Sequence, residues 1–285
     1  MVNIFSGLEK FGLNLKEDVS LFEEKNEAKP TRTKKDDEIH EVKEVDFLLD
    51  RTYTCPVCDA ELKAKTVKNA KAKLISTDID LRTKHEGIDM VKYDVIVCPK
   101  CGYAALTRYF ASIMSAQRKL VRENITPHFK GMSHDGEIYT YDEAVERYEI
   151  TLANAVVKKA KASEKAFICL KMGWLMRGYA ESLTADGKEE KSKLAQLDKA
   201  EREYLKNAME GFVLAKQKEM FPMCGIDEHT MDYLIAALAV RVDKYDIASR
   251  TVSNILASSA SPRRIKDKAR ELKDIIVKNR EKSEH

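Results

Sequence analysis

The sequence contains six cysteines, and four of them form two Cys-x-x-Cys pairs. The first pair lies in Cys55-Pro56-Val57-Cys58, and the second, after 39 intervening residues, in Cys98-Pro99-Lys100-Cys101-Gly102-Tyr103. Two residues between ligands let one tight turn present two thiolates, and Zn²⁺ binds four thiolates tetrahedrally. Gly102 permits a positive φ, so that backbone amides can point at the sulfurs. The spacing therefore predicts one zinc ion bound by Cys55, Cys58, Cys98 and Cys101.

The residue types of this set favour a structural zinc over a catalytic one. Catalytic zinc sites keep an open position and usually include histidine or a carboxylate, whereas four cysteines close the coordination shell. Redox chemistry is disfavoured because both pairs share one turn pattern and neither precedes a thioredoxin-like βαβ pattern. We therefore expect a protein that is not an enzyme.

Short β-type runs surround the two cysteine pairs and predict a small zinc-ribbon module over residues 51–103. The runs are Tyr53-Thr54, Leu62–Val67, Lys73–Ser76 and Tyr93–Val97.

After Tyr103 the pattern is helical, because helix-forming residues dominate while the whole chain has only 11 glycines and 6 prolines. The predicted helices are Ala104–Glu123, Asp142–Ala162, Glu164–Leu183, Lys191–Met220, Glu228–Val242, Tyr245–Ser258 and Pro262–Lys278. The small and large residues from Ala236 to Pro262 lie close to tetratricopeptide repeat positions, although the expected aromatic is displaced to Tyr233. We predict an α+β, mainly α protein, whose residues 104–285 form a tetratricopeptide-like helical array or, alternatively, a plain helical bundle.

Residues 1–50 carry a net charge of −5 and precede this module. One apolar helical stripe is formed by Ile4, Leu8, Phe11 and Leu15. The composition of Glu23–Val45 predicts a disordered, charged linker. The amphipathic segment is expected to dock on the protein's own core or on a partner. A membrane surface is less favoured because the flanking residues are acidic.

The overall composition predicts a soluble protein of a reducing, cytoplasmic compartment. The 50 basic and 47 acidic residues nearly balance, which excludes a polycation that coats nucleic acid indiscriminately.

The longest apolar run, Tyr233–Val240, is far shorter than the roughly 20 residues that span a bilayer. The N-terminal sequence lacks the pattern of a signal peptide, and cysteine pairs without an export signal favour metal over disulfides.

The segment from Arg51 to about Phe110 resembles the bacterial family catalogued as domain of unknown function 2225. The resemblance rests on the first Cys-Pro-x-Cys, the following basic strand, Asp78-x-Asp80-Leu81-Arg82, a Tyr-Asp-Val strand and the closing Cys-Pro-x-Cys-Gly-Tyr-Ala. It implies a zinc module followed by repeat-like helices, and it implies no activity.

Other groups of residues leave alternatives open. One group comprises three aspartates with a histidine nearby: Asp78, Asp80, Asp94 and His85. It suggests either a second, oxygen-rich metal site or a turn whose aspartates bind backbone amides or Arg82. Cys169 is expected to be a buried small hydrophobe, whereas Cys224, with His229 downstream, is a weak candidate ligand or nucleophile.

Two functional hypotheses follow. The first is a non-enzymatic adaptor, whose helical domain binds an unidentified protein partner and in which Trp174 and Tyr179 are core or groove aromatics. The alternative is a nucleic-acid-binding zinc ribbon that uses the basic run Lys63, Lys65, Lys68, Lys71 and Lys73. That run lacks the interleaved aromatics that stack on bases, and alternating lysines are also the usual solvent face of a hairpin.

Overall fold

The protein is described here by a computed structural model that covers residues 43–185, 187 and 190–284. The amphipathic segment predicted around Ile4–Leu15 lies outside the described residues, as does the linker up to residue 42. The last linker residues are packed, and there the prediction was wrong. Residues Glu44–Phe47 form a 3-10 helix with Phe47 buried, and the Glu44 carboxylate accepts a hydrogen bond of 2.8 Å from Lys92. An apolar anchor and an ion pair therefore hold this end of the linker.

Six short strands form three separate antiparallel pairs in the described part of the chain. The pairs are β1 (Leu48–Thr54) with β2 (Glu61–Val67), β3 (Leu74–Thr77) with β4 (Thr83–His85), and β5 (Val95–Val97) with β6 (Ala104–Leu106). The predicted β-type runs coincide with parts of β1, β2, β3 and β5. Three residues of the runs lie outside the strands: Lys73 precedes β3, Asp94 precedes β5, and Tyr93 ends a 3-10 helix, Met90–Tyr93.

Seven α-helices follow the strands in the described residues. They are α1 (Ser115–Asn124), α2 (Tyr141–Val157), α3 (Ala162–Ala185), α4 (Lys191–Lys218), α5 (Glu228–Arg241), α6 (Tyr245–Ala257) and α7 (Arg263–Glu284). The mainly helical fold and the number of helices agree with the sequence prediction. Whether the array is tetratricopeptide-like stays a prediction.

The first helix begins later than predicted. Residues Ala104–Leu106, which the sequence assigned to this helix, form strand β6, and α1 starts only at Ser115. Val97 pairs with Ala104, and all three residues of β6 are buried. Pairing with β5 and burial on both faces outweigh the helix preference of alanine, which is worth only a fraction of a kcal/mol per residue, about 0.7 at most.

The β5–β6 hairpin lies between the cysteines and the helices. Side chains alternate across a strand, so Val95 and Val97 join the core that the helices share, whereas Ile96 packs with the cysteines. Helices α3 and α5 are buried on most sides, and Trp174 belongs to this shared core. Nowhere in the described chain is a helix both long and apolar enough to cross a membrane.

Candidate metal centre

Both cysteine pairs lie in hairpin turns of the same construction. Residues 55–60 connect β1 to β2, and residues 98–103 connect β5 to β6. In the first turn, the Cys55 N–H donates to the Ala60 carbonyl at 2.9 Å, and in the second the Cys98 N–H donates to the Tyr103 carbonyl at 2.8 Å. The residue after the second cysteine of each turn has a positive φ, 58° at Asp59 and 74° at Gly102. The sequence analysis identified this requirement at Gly102 and missed it at Asp59.

The structure brings the four predicted cysteines together. Their sulfur atoms all lie within 4.8 Å of one another. The Sγ atoms of Cys55 and Cys101 are 3.6 Å apart, as are those of Cys58 and Cys98. Disulfide sulfurs are about 2.05 Å apart, so these are not disulfides. Four sulfurs at about 2.3 Å from one tetrahedral ion are about 3.8 Å from each other. The spacing therefore fits one metal ion.

Burial and backbone hydrogen bonds suit thiolate ligands. Cys55, Cys98 and Cys101 are buried, and Cys58 is partly buried. The N–H groups of Val57 and Cys58 donate to the Cys55 sulfur, and those of Lys100 and Cys101 donate to the Cys98 sulfur. Such donors orient thiolates and spread their charge. The two turns thus repeat the same donor pattern around their first cysteine.

The protonation of the cluster shows why it suits a cation. Hydrogen bonds with Cys55 and Cys98, together with burial, raise the pKa of the Cys101 thiol far above its ordinary value. Hydrogen bonds from Cys101 and Cys55 lower the pKa of the Cys98 thiol. Four adjacent sulfurs, three of them in buried cysteines, therefore keep some of their protons when no cation is bound. A divalent metal ion replaces those protons, because a coordinating thiol is deprotonated outright.

Side chains from two helices hold the turns in place. In α1, Arg122 donates from Nε to the Val57 carbonyl at 2.8 Å. In α2, Asn154 donates to the Gly102 carbonyl at 2.9 Å and is fully buried. Both carbonyls belong to the turns themselves. Neither helix residue stood out in the sequence, because no local pattern links a helix residue to a turn 50 or more positions earlier.

The aspartates of the Asp78-x-Asp80-Leu81-Arg82 segment bind arginine. Asp80 is fully buried, and Arg177 in α3 donates to both of its oxygens, at 3.1 and 2.6 Å. Asp78 accepts from the same arginine at 2.8 Å, and Asp94 pairs with Lys171 at 3.0 Å. Within the described residues, only the four cysteines form a group whose ligand atoms are close enough for a metal ion. These ion pairs support the turn interpretation of the segment.

The remaining cysteines lack the features of a nucleophile. Burial raises the pKa of the Cys169 thiol to about 11, as expected for a small buried hydrophobe. Burial also raises the pKa of the Cys224 thiol, which donates to the Ser163 carbonyl at 3.3 Å. His229 lines a different cavity from Cys224. Neither thiol is therefore activated in this structure.

Fold and site together define a mainly helical protein with a buried four-cysteine cluster that can hold a metal ion. The model of the family described as "Uncharacterized protein conserved in bacteria (DUF2225)" matches residues 48–276. The chain belongs to this family. Searches of curated proteins and of solved structures returned no significant match.

Proposed function

We propose that Cys55, Cys58, Cys98 and Cys101 bind one Zn²⁺ that stabilises the structure and takes no part in catalysis. The observation that supports this proposal is that two hairpin turns of the same construction bring four sulfur atoms within 4.8 Å of one another. The short spacing favours a single ion over an iron–sulfur cluster. In a cluster of several irons the cysteines bind different irons, so their sulfurs lie further apart. The bound ion would connect hairpins that are distant in sequence.

The first prediction concerns metal content. We expect one equivalent of zinc per chain and four sulfur neighbours at about 2.3 Å, measured by elemental analysis and X-ray absorption. Cys55→Ser should lose most of the zinc, because removal of one thiolate opens the shell. Cys224→Ser is the matched control and should keep it. Less than half an equivalent in the folded chain, or nitrogen and oxygen in the first shell, would contradict the proposal.

We further propose that the chain is a non-enzymatic adaptor of the cytoplasm. A closed sulfur shell supports this, because it leaves no position for a substrate. Large apolar side chains are also exposed at one cavity between the α1 side and the segment before α5. Met114 is 67% and Met220 is 91% exposed, and both line that cavity. Exposed methionine is typical of adaptable protein-binding surfaces.

The second prediction tests this surface. A photo-reactive side chain at Met220 should capture a defined protein in cells of the native organism. Met114→Asp should abolish the capture, because an apolar contact would bury the new carboxylate without a compensating cation, which costs free energy. Val156→Asp is the control, since Val156 is 58% exposed in α2 and does not line the cavity. Equal capture by the two variants would contradict a binding role for this surface.

Nucleic-acid binding stays the alternative function, and the contacts of the lysine run do not favour it. Lys65 pairs with Asp50 at 3.0 Å, and Lys73 pairs with Glu86 at 3.4 Å. The alternative requires oligonucleotide binding whose affinity falls steeply with salt. A titration at two salt concentrations distinguishes it from the adaptor.

A further inference from the structure

A cavity of about 410 Å³ lies between the two cysteine-bearing hairpins and helix α2. No cysteine lines it. Its lining is cationic and polar, and comprises Asp50, Lys63, Lys65, Ser133, His134, Asp135, Tyr139 and Arg147 beside backbone and apolar groups. The size is that of a small-metabolite site.

Arg147 of α2 contributes a buried cation that forms no ion pair within the described residues, although the charges of Glu143 and Glu146 act on it from longer range. Its residue exposure is only 7%. Within the described residues its side chain forms no ion pair or hydrogen bond, and its Nε is buried without a partner. The guanidinium instead lies 3.9 Å from the centre of the Tyr139 ring. Arginine stays charged when buried, so an anion in the cavity would relieve the cost of this charge.

His134 contributes a second unused polar atom. Its Nδ1 lies 2.6 Å from Oε1 of Glu143. The other Glu143 oxygen accepts a hydrogen bond of 2.7 Å from the Thr140 N–H at the start of α2. Because the carboxylate accepts, Nδ1 carries a proton, and Nε2 is left buried without a partner. The imidazole also contacts the Tyr139 ring edge-on, with centroids 4.6 Å apart. The side chain is therefore held in place, and Nε2 is free to accept a hydrogen bond from a ligand.

The charges around the cavity suit a doubly charged anion. Lys65 is neutralised by Asp50, and Asp135 is exposed. Lys63 is exposed and, within the described residues, has no ion pair. Arg147 and Lys63 are thus two cations whose charge no carboxylate balances directly. A phosphate dianion matches them better than a single carboxylate, and the planar guanidinium binds two of its oxygens.

We propose that this cavity binds a small phosphate monoester, whose phosphate contacts Arg147 and Lys63 and whose organic group donates a hydroxyl hydrogen to Nε2 of His134. The site is independent of the adaptor function proposed above and of metal identity. An oxyanion alone leaves much of the cavity unfilled, so the ligand carries an organic group as well.

The experiment titrates the full chain, loaded with its metal, with inorganic phosphate, glycerol 3-phosphate and acetate at constant ionic strength. Amide resonances of residues 132–139 report binding. Saturable shifts are expected with both phosphates, with tighter binding of glycerol 3-phosphate. Lys63→Ala should weaken binding about threefold to tenfold, and Arg147→Gln about tenfold or more. Lys71→Ala removes an exposed charge outside the cavity and should bind within about twofold of the unaltered chain.

Lys63 is exposed, so its variant tests the site even if Arg147→Gln does not fold. The absence of saturable shifts with both phosphates would overturn the proposal. So would equal shifts with acetate, or equal affinity of the Lys63→Ala and Lys71→Ala variants.

Discussion

Asp80 and Arg177 show how a single residue pair decides the meaning of a sequence motif. Asp80 lies in the turn between β3 and β4 and is fully buried, and Arg177 on α3 binds both of its oxygens. Burial alone would raise the pKa of Asp80. The hydrogen bonds and the charge of Arg177 outweigh this effect, so the pKa of Asp80 lies below its ordinary value. The pair therefore ties the β3–β4 hairpin to the helical core.

The third prediction removes the arginine. Arg177→Met should lower the free energy of unfolding by about 3–5 kcal/mol, because it leaves Asp80 as a buried charge without its ion-pair partner. Arg202→Met is the control. Arg202 also pairs with an aspartate, Asp243, but its side chain is 51% exposed, and such pairs contribute about 1 kcal/mol or less. Urea denaturation measures both. Similar losses in the two variants would show that burial does not set the strength of the Asp80 pair.

The fourth prediction concerns pH. The folded-state pKa of Asp80 is lower than its unfolded value of about 3.9. The ionised carboxylate thus contributes stability above pH 4, and this contribution disappears as the pH falls through the folded-state pKa. The stability difference between the unaltered chain and Asp80→Asn should therefore shrink below about pH 4. Urea midpoints between neutral and acid pH test this. A pH-independent difference would mean that Asp80 is not ionised in the fold.

At the scale of elements, α3 and α4 approach closely because of small residues. Gly211 of α4 faces Ala166 of α3. A Cβ added to Gly211 would lie 2.8 Å from the Ala166 Cβ and 3.4 Å from its Cα. Two non-bonded carbon atoms cannot lie 2.8 Å apart in a packed interior, so the backbone would have to shift. The spacing of the two helices therefore depends on glycine at this position.

The fifth prediction follows from that contact. In an unhindered helix, replacing glycine with alanine stabilises by about 0.4–1 kcal/mol. Here Gly211→Ala should instead destabilise by about 1–3 kcal/mol, because the helices are overpacked. Adding Ala166→Gly restores the space and should recover part of the loss, as measured by urea denaturation. If Gly211→Ala is stabilising by itself, the close approach does not limit the packing.

At the scale of the molecule, the β5–β6 hairpin contributes to two cores, one among the helices and one around the cysteines. Removal of the proposed zinc ion should loosen the two hairpins unequally. β1–β2 carries Cys55 and Cys58 and loses a cross-link, while β5–β6 keeps the contacts of Val95 and Val97 with the helices. We expect a chelator to reduce amide protection mainly over residues 48–67, with little change in far-UV helicity. Hydrogen exchange measures this loss of protection.

The boundary predicted near residue 103 stays a prediction, and the same experiment tests it. Cooperative loss of protection across hairpins and helices would show that residues 51–103 and 104–285 unfold as one unit.

The sequence by itself determined the features that depend on near neighbours. Two residues between cysteines specify a turn that presents both sulfurs. The helix-forming composition predicted the seven helices to within two residues at most of their ends. The exceptions are the start of the first helix and the ends of the second and the last, which lie five and six residues from their predicted positions. Zinc ligation of the four cysteines is a prediction from the same local pattern.

Only the tertiary structure decided the features that join distant parts of the chain. β6 is a strand because β5 lies beside it, although its residues favour a helix. Asp80 binds an arginine on α3, and the cavity at Arg147 forms where a hairpin, a loop and a helix meet. The physical reason is that burial and ion pairing act through space. Propensity and spacing act along the chain, so they carry no information about which distant segments pack together.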